Sequence, residues 1–527
     1  MLLLGRRLPS GERFRETIDG DEMKILFLLT IVLFCCSAVL PTTVKLRIDT
    51  GQPVRTMLGG MGASWHAIET PIPDAKGGSG WGAYPPAEDE AAWQSVYRHA
   101  DWLGLNWCRV ELEQRMYEPE RQRFDWDNPE MRVLYRILDW AEARHVHVFP
   151  QQMWGNTTWN AYPELRVDPE KRVRSAPLSV DDFANGYAEL VYHLVKVKGY
   201  TCIRWLSLNN EPGQDFSWWQ GPDLKPLSAT PDFKAARAAL DRSGIAVPIS
   251  GPDWTDLPPL EPSKIDFDSY IGAYDVHSYW CDFDKPGPPG EYSMSTSMAR
   301  IGDWVGWAHQ RGKPFFLSEI GTMAYGWQGT NPGPGSYEAS LKNASLVVRS
   351  INAGVDAFNR WSFLNRGDLD GQWQLLDTWD VKAGRMMSEF KPHPNAYFMW
   401  ALLNRYVALN SQVLQVRAEG GDVDGFQRLV AAGLRSPKGE LTVLVVNEAT
   451  QDMAGTIEFE NVTRVVKLYR YRMTPSMRDR NDIELKPEAS FAIRAGRPTL
   501  KDNLPARSIT VYSTFKLAPT SKGVQVE

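Results

Sequence analysis

Residues 203 to 212 read IRWLSLNNEP and residues 314 to 321 read PFFLSEIG. Each is a short apolar run of strand length that ends on an acid, Glu211 in the first and Glu319 in the second. A carboxylate at the edge of a buried run is costly to desolvate unless it is paired or used. Six further runs of the same kind occur: TMLGGMGAS at 56 to 64, LNWCRVEL at 105 to 112, VHVFPQQ at 146 to 152, VPISGPD at 247 to 253, YDVHSY at 274 to 279 and AFNRWSFL at 357 to 364. Segments with helical spacing separate them, at 88 to 103, 129 to 144, 180 to 198, 232 to 243, 296 to 311 and 337 to 353, and only the crossover near 260 to 272 is weak. Alternating strand and helix predicts parallel strands with helical crossovers, and eight strands close a barrel. The expected class is α/β, a (β/α)8 TIM barrel.

A chain of 527 residues exceeds what one core holds, so a second domain is expected. The segment PHPNAYFMWALLNRYVA, 392 to 408, has a helical apolar face, and from about 411 short alternating runs take over. Those at 427 to 433, 440 to 447, 455 to 459, 464 to 472 and 507 to 515 predict a C-terminal antiparallel β-sandwich. The stretch 44 to 55 also reads partly as strand and could pair with it. The expected division is 1–41 for an N-terminal extension with a signal peptide or anchor, 42–408 for the barrel and 409–527 for the sandwich.

The net charge of −6 offers no basic excess to neutralise phosphates, which argues against nucleic acid as a partner. Tryptophan is abundant at 21 residues, and indole faces stack on the C–H faces of sugars as readily as they fill cores. The apolar run Ile25 to Leu40 follows Lys24 and precedes Pro41, the order of a secretory signal, with Ser37-Ala38 as a cleavage context. Export to the cell envelope or beyond is the expectation. The alternative is membrane anchoring by residues 25–40, short as that run is for a span. Outside this segment Cys108, Cys202 and Cys281 form no disulfide framework, and sequons begin at Asn156, Asn343 and Asn461.

In a parallel barrel the strand C-termini form the active face. Polar residues stand at five of these ends: Arg109 on the second strand, Asn209-Asn210-Glu211-Pro212 on the fourth, His277 and Tyr279 on the sixth, Ser318-Glu319 on the seventh and Trp361 on the eighth. Strands four and seven face each other across an eight-stranded barrel. Two carboxyls there can approach to about 5 to 5.5 Å, the separation for cleaving a glycosidic bond through a covalent intermediate. Glu211 would act as acid and then base, and Glu319 as nucleophile.

Together these residues resemble the retaining glycoside hydrolases of clan A, which include the cellulase-like family 5. Arg109 resembles the residue that keeps the nucleophile ionised. Asn210 resembles the Asn that meets the sugar 2-hydroxyl, with Pro212 completing Asn-Glu-Pro, and His277 and Tyr279 are similar to the strand-six pair whose tyrosine donates to the nucleophile. Trp361 is similar to the floor of the central subsite. The resemblance spans about residues 50 to 400 and implies a carbohydrate substrate with no cofactor and no metal. His66 and Gln152 are further candidates to contact hydroxyls of the terminal sugar, and Trp154 is a candidate to line the cleft by stacking. Trp65, Trp159, Trp218, Trp219, Trp254, Trp280, Trp327 and Trp373 also follow strand ends, where they would line a cleft or pack loops.

Two other readings compete with this one. His145-x-His147 places two imidazoles on one strand face, as a metal-dependent barrel hydrolase would need, yet at the strand start, away from the catalytic loops. A noncatalytic carbohydrate-binding protein would keep the cleft without needing two carboxyls, Arg109 and Tyr279 together.

Overall fold

The computed structural model describes residues 42–67, 82–154, 157–213, 217–322, 333–366 and 372–524. The apolar run 25 to 40, Asn156 and Trp327 lie outside the described residues. The eight expected strands form a closed parallel barrel in chain order: β2 (Met61–His66), β3 (Trp107–Glu113), β4 (His147–Trp154), β5 (Leu206–Ser207), β6 (Ile249–Trp254), β7 (Ala273–Ser278), β8 (Phe315–Ile320) and β9 (Ala357–Arg360). Closure is between β2 and β9, where Gly62 pairs with Asn359. The helices fall at Glu90–Leu103, Pro129–Ala143, Val180–Tyr192, Thr230–Arg242, Met294–Gln310 and Tyr337–Ala353. The weak crossover holds two 3-10 turns, Pro262–Lys264 and Asp268–Tyr270.

Side-chain alternation sets what fills the barrel. Along β3, Cys108, Val110 and Leu112 face the helices and join the main apolar core. Trp107 turns inward instead and packs with Phe149, Ala273, Phe316 and Ala357 near the strand starts. Further along the strands the interior becomes polar, with Arg109, Gln151, Asp253, Asp275 and Ser318 all buried. The pairing of β2 with β3 also needs a small residue on β2, because a Cβ at Gly62 would stand 1.4 Å from the Trp107 carbonyl oxygen.

β1 (Thr42–Thr56) is not part of the barrel. It pairs antiparallel with β12 (Gln412–Gly420), with Leu46 opposite Ala418, so the expected barrel range of 42–408 begins too early. After β9 come a hairpin of β10 (Leu376–Asp380) with β11 (Arg385–Pro392) and the helix Ala396–Asn404. Another small hairpin joins β13 (Asp422–Val423) to β14 (Phe426–Gln427). Next are β15 (Leu429–Arg435), β16 (Leu441–Asn447), β17 (Met453–Glu460), β18 (Val466–Met473), β19 (Ala489–Ile493), β20 (Thr499–Leu504) and β21 (Ser508–Ser513). Hydrogen bonding orders the larger sheet as β19-β18-β21-β16-β15-β12-β1-β17-β20. Residues from its two ends, such as Leu468 and Ile493 at one and Ile457 and Leu500 at the other, share one core with Val44, Leu46 and Ile48. The sheet is therefore folded on itself as a β-sandwich, and β1 bends between the layers at the bulge between Ile48 and Pro53.

The outer face of β15, β16 and β21 continues the barrel's own core through Val430, Ala432, Leu444, Val446 and Val511. A buried acid ties the two parts together. Glu448 accepts from Arg349 Nη2 at 2.8 Å and from Ser345 Oγ, both on the helix Tyr337–Ala353. We expect Glu448→Ala, which leaves Arg349 without its anion, to cost about 3 kcal/mol and to lower the thermal midpoint by several degrees. A midpoint within a degree of the parent in calorimetry would show that the ion pair does not hold the sandwich in place.

Candidate active site

The polar ends of the barrel strands converge, and Arg109 is the residue that joins them. Its side chain is fully buried. Nη1 donates to Glu319 and, at 2.6 Å, to Glu111 Oε1, while Nη2 donates to Asn210 Oδ1 at 2.7 Å and lies 3.4 Å from Asp253 Oδ2. Burial opposes its charge, but Glu319, Asp253 and Glu111 raise its pKa overall, so it stays cationic.

Glu319 is surrounded by donors. The Tyr279 hydroxyl donates to Oε2, and His277 Nδ1 lies 3.2 Å from the same oxygen. Burial pushes the Glu319 carboxyl up to about 7, against the pull of Arg109 and His277, with Glu211 adding to the rise. The Tyr279 hydroxyl is raised well above its ordinary value by burial and by Glu319, so it remains a donor.

Glu211 follows β5 in a backbone conformation that non-glycine residues seldom adopt, with φ of 46°. Its N–H donates to the Asp253 carbonyl at 3.1 Å, which holds the turn, and Oε1 lies 2.7 Å from His277 Nδ1. One carboxylate oxygen of Glu211, one of Glu319 and His277 Nδ1 all lie within 4.8 Å of one another. Among the described residues this trio is the group whose spacing could hold a metal ion. Arg109 and Tyr279 already donate to one of its carboxylates, an arrangement suited to proton and nucleophile chemistry.

Trp361 forms an aromatic cluster with Tyr279 and Trp373, against which the half-buried Trp218 and Trp280 pack. A Cβ at Gly321, just past Glu319, would stand 2.4 Å from the Trp373 ring and 2.6 Å from Tyr279. Glycine there lets the cluster close beside the carboxylate. His66 ends β2 inside the site, its Nδ1 at 2.6 Å from Glu111 Oε2 and its ring edge-on to Trp361 with centroids 5.2 Å apart.

The structure thus brings together Arg109, Asn210, Glu211, His277, Tyr279, Glu319, Trp361 and His66. Gln152 is placed differently: its Oε1 accepts from Tyr117 at 2.9 Å. The inward residue is its neighbour Gln151, which donates to the Asn209 carbonyl at 2.9 Å and to Asp253. Trp154 closes β4, but its side chain is outside the described part of the structure. Trp65 and Trp219 are fully buried in the main core, Trp159 donates to the Glu118 carbonyl at 3.0 Å, and Trp254 packs edge-on against Trp304. His145 and His147 lie at the start of β4, the opposite end of the barrel, where burial lowers His147 to about 4. Asn343 is buried in a helix and accepts from Thr322, which removes it as a glycan acceptor in the folded chain. Sequence reasoning missed Glu111, Gln151, Asp253 and Asp275. Glu111 and Asp253 could have been found by the rule that found the others, since each is polar near the end of an apolar run.

No protein-family model matches the chain, and no curated protein matches it. Solved structures do. A GH30 endoxylanase from Clostridium papyrosolvens superposes with a TM-score of 0.57 at 13% identity, covering 89% of this chain and 99% of that one. SrfJ from Salmonella typhimurium gives 0.59 at 12% identity over 90% and 92%. A glucosidase from Croceicoccus marinus gives 0.57 at 12% over 89% and 98%. At such identities the likeness establishes the fold, a TIM barrel with a β-sandwich.

Since the Arg109 guanidinium favours the ionised form of Glu319, we expect Arg109→Met to move protonation of Glu319 to higher pH. Carboxyl ¹³C NMR, with Glu319→Gln assigning the resonance, reads this directly. An unmoved titration would contradict the electrostatic role given to Arg109.

Proposed function

We propose that this chain is a retaining O-glycoside hydrolase that cleaves glycosidic bonds in oligo- or polysaccharides by double displacement. One observation carries the reading: Glu211 and Glu319, from opposite sides of the barrel mouth, present oxygens within 4.8 Å of each other. Retention requires roughly 5 to 5.5 Å between the carboxyls, whereas inversion leaves about 6.5 to 9.5 Å for a water. The solved structures of like fold include proteins described as an endoxylanase and a glucosidase, which agrees with a carbohydrate substrate.

In the first step Glu319 attacks the anomeric carbon while Glu211 gives its proton to the departing oxygen. Arg109 and Tyr279 orient the nucleophile and favour its anion. As the ester forms, the charge leaves Glu319, and Glu211, now a carboxylate, takes a proton from the water that displaces the ester. Asn210 accepts from Arg109 through Oδ1, which leaves Nδ2 for the sugar 2-hydroxyl. The Trp361 ring floors the central sugar, with the half-buried Trp218 and Trp280 packed against its cluster. The apolar run 25 to 40 supports export, as a cleaved signal or as an anchor to the cell envelope.

Glu319→Ala should abolish turnover of aryl glycosides, and azide should restore it with a product of inverted configuration. Glu211→Ala should slow poor leaving groups by about 10² to 10⁴-fold and activated ones far less, because only the former need a proton. Equal slowing of both classes would contradict the acid role. Binding without turnover in the parent protein would indicate a lectin-like function, and loss of activity in EDTA a metal-dependent one.

A further inference from the structure

His277 is enclosed by carboxylates. Nδ1 lies 2.7 Å from Glu211 Oε1 and 3.2 Å from Glu319 Oε2, and Nε2 lies 3.1 Å from Asp253 Oδ1. The carboxylates of Asp253 and Glu319 only accept, as does a Glu211 Oε1 whose proton sits on the other oxygen, so a neutral ring would turn a lone pair toward an acceptor, whereas a ring with both N–H groups meets Asp253 through Nε2 and the two glutamates through Nδ1. Burial disfavours the charged ring, yet Glu319 and Asp253 raise it well above its ordinary range.

Asp253 is itself tightly fixed. It is fully buried on β6 with φ of 60°, its carboxylate accepts from Ser318 Oγ at 3.2 Å and from Gln151, and Arg109 lies beside it. Burial alone would raise its pKa, but His277 and Arg109 hold it below the usual range. Behind it Asp275 accepts the Asp253 N–H at 2.8 Å, and burial together with the charge of Asp253 pushes that carboxyl up to about 7. Also acting on His277 or its partners are Asp256, after β6, which burial and Glu211 push up to about 6, Arg109 across the barrel, Glu111, whose charge bears on Glu319, and the Tyr279 hydroxyl that donates to Glu319.

On the glycosidase reading above, we propose that Asp253 is a positioning residue: by holding His277 Nε2 it keeps the Nδ1–H on Glu211 Oε1. The catalytic proton of Glu211 is thereby confined to its other oxygen. Neither Asp253 nor His277 forms or breaks a bond to the sugar.

The test is ¹⁵N-histidine NMR of the full chain, with His277→Gln assigning the resonance, alongside kinetics on methyl and dinitrophenyl glycosides. His277 of the parent protein should stay doubly protonated from pH 5 to 8. In Asp253→Asn, which keeps the shape and one oxygen acceptor, His277 should titrate inside that window. Its kcat/KM on the methyl glycoside should fall about 10 to 100-fold, with less than about threefold loss on the dinitrophenyl glycoside. An unchanged His277 titration in folded Asp253→Asn would overturn the proposal. If that variant does not fold, a parent His277 that is neutral at pH 7 overturns it equally. Absence of any glycoside turnover in the parent would instead overturn the glycosidase reading, which the NMR signal does not depend on.

Discussion

A guanidinium inside a barrel is the constraint around which the rest is arranged. Removing an ion from water costs several kcal/mol even after relaxation, and only well-placed partners repay it. Arg109 has no exposed surface, so it must be met by anions from the strands that surround it. Glu111 meets it from its own strand, Glu319 from across the barrel and Asp253 from β6. Each of these anions then holds something else: Glu111 holds His66, Asp253 holds His277, and Glu319 takes the Tyr279 hydroxyl. Such a network is weak evidence for stability, because apolar packing would serve as well or better. Its presence at the C-terminal face therefore points to use.

The fold supplies the setting. Trp107, Phe149 and Phe316 fill the lower interior with rings, so the polar residues lie only above that layer. The sandwich closes one flank of the barrel through a shared apolar core rather than a loose interface. The main-chain turn at Glu211 and the glycine at 321 are local conditions that let a carboxylate and an aromatic cluster approach the same point.

Much of this was legible because buried parallel strands read as continuous apolar runs and announce their ends with polar residues. All eight barrel strands fall within or beside the predicted runs, although β5 is reduced to Leu206–Ser207. The sandwich was harder. β12 alternates poorly, with its last four residues exposed, and β19 and β20 are half-exposed, so no clear period marked them. β1 could not be assigned to one sheet from sequence because its pairing with β12 runs from Val44 opposite Gly420 to Thr56 opposite Gln412, far beyond any local signal. Gln151 and Gln152 are adjacent and chemically identical, so only the phase of the strand separates them. That phase is regular through Gln152, with Glu111 opposite Gln151 and Leu112 opposite Gln152, and the register shifts only beyond them. Tryptophan position alone did not separate cleft from core, since Trp65 at the end of β2 and Trp219 beyond β5 stand near strand ends as Trp361 does, yet belong to the main apolar core.

In the proposed mechanism Glu319 attacks carbon while Glu211 handles the proton. A 2-deoxy-2-fluoro glycoside with an activated leaving group slows the second step and accumulates the ester, so peptide mass mapping of the inactivated protein reads the nucleophile directly. One sugar per chain is expected, on the peptide that carries Glu319. Label on another residue, or steady turnover of the parent glycoside with no label at all, would contradict it.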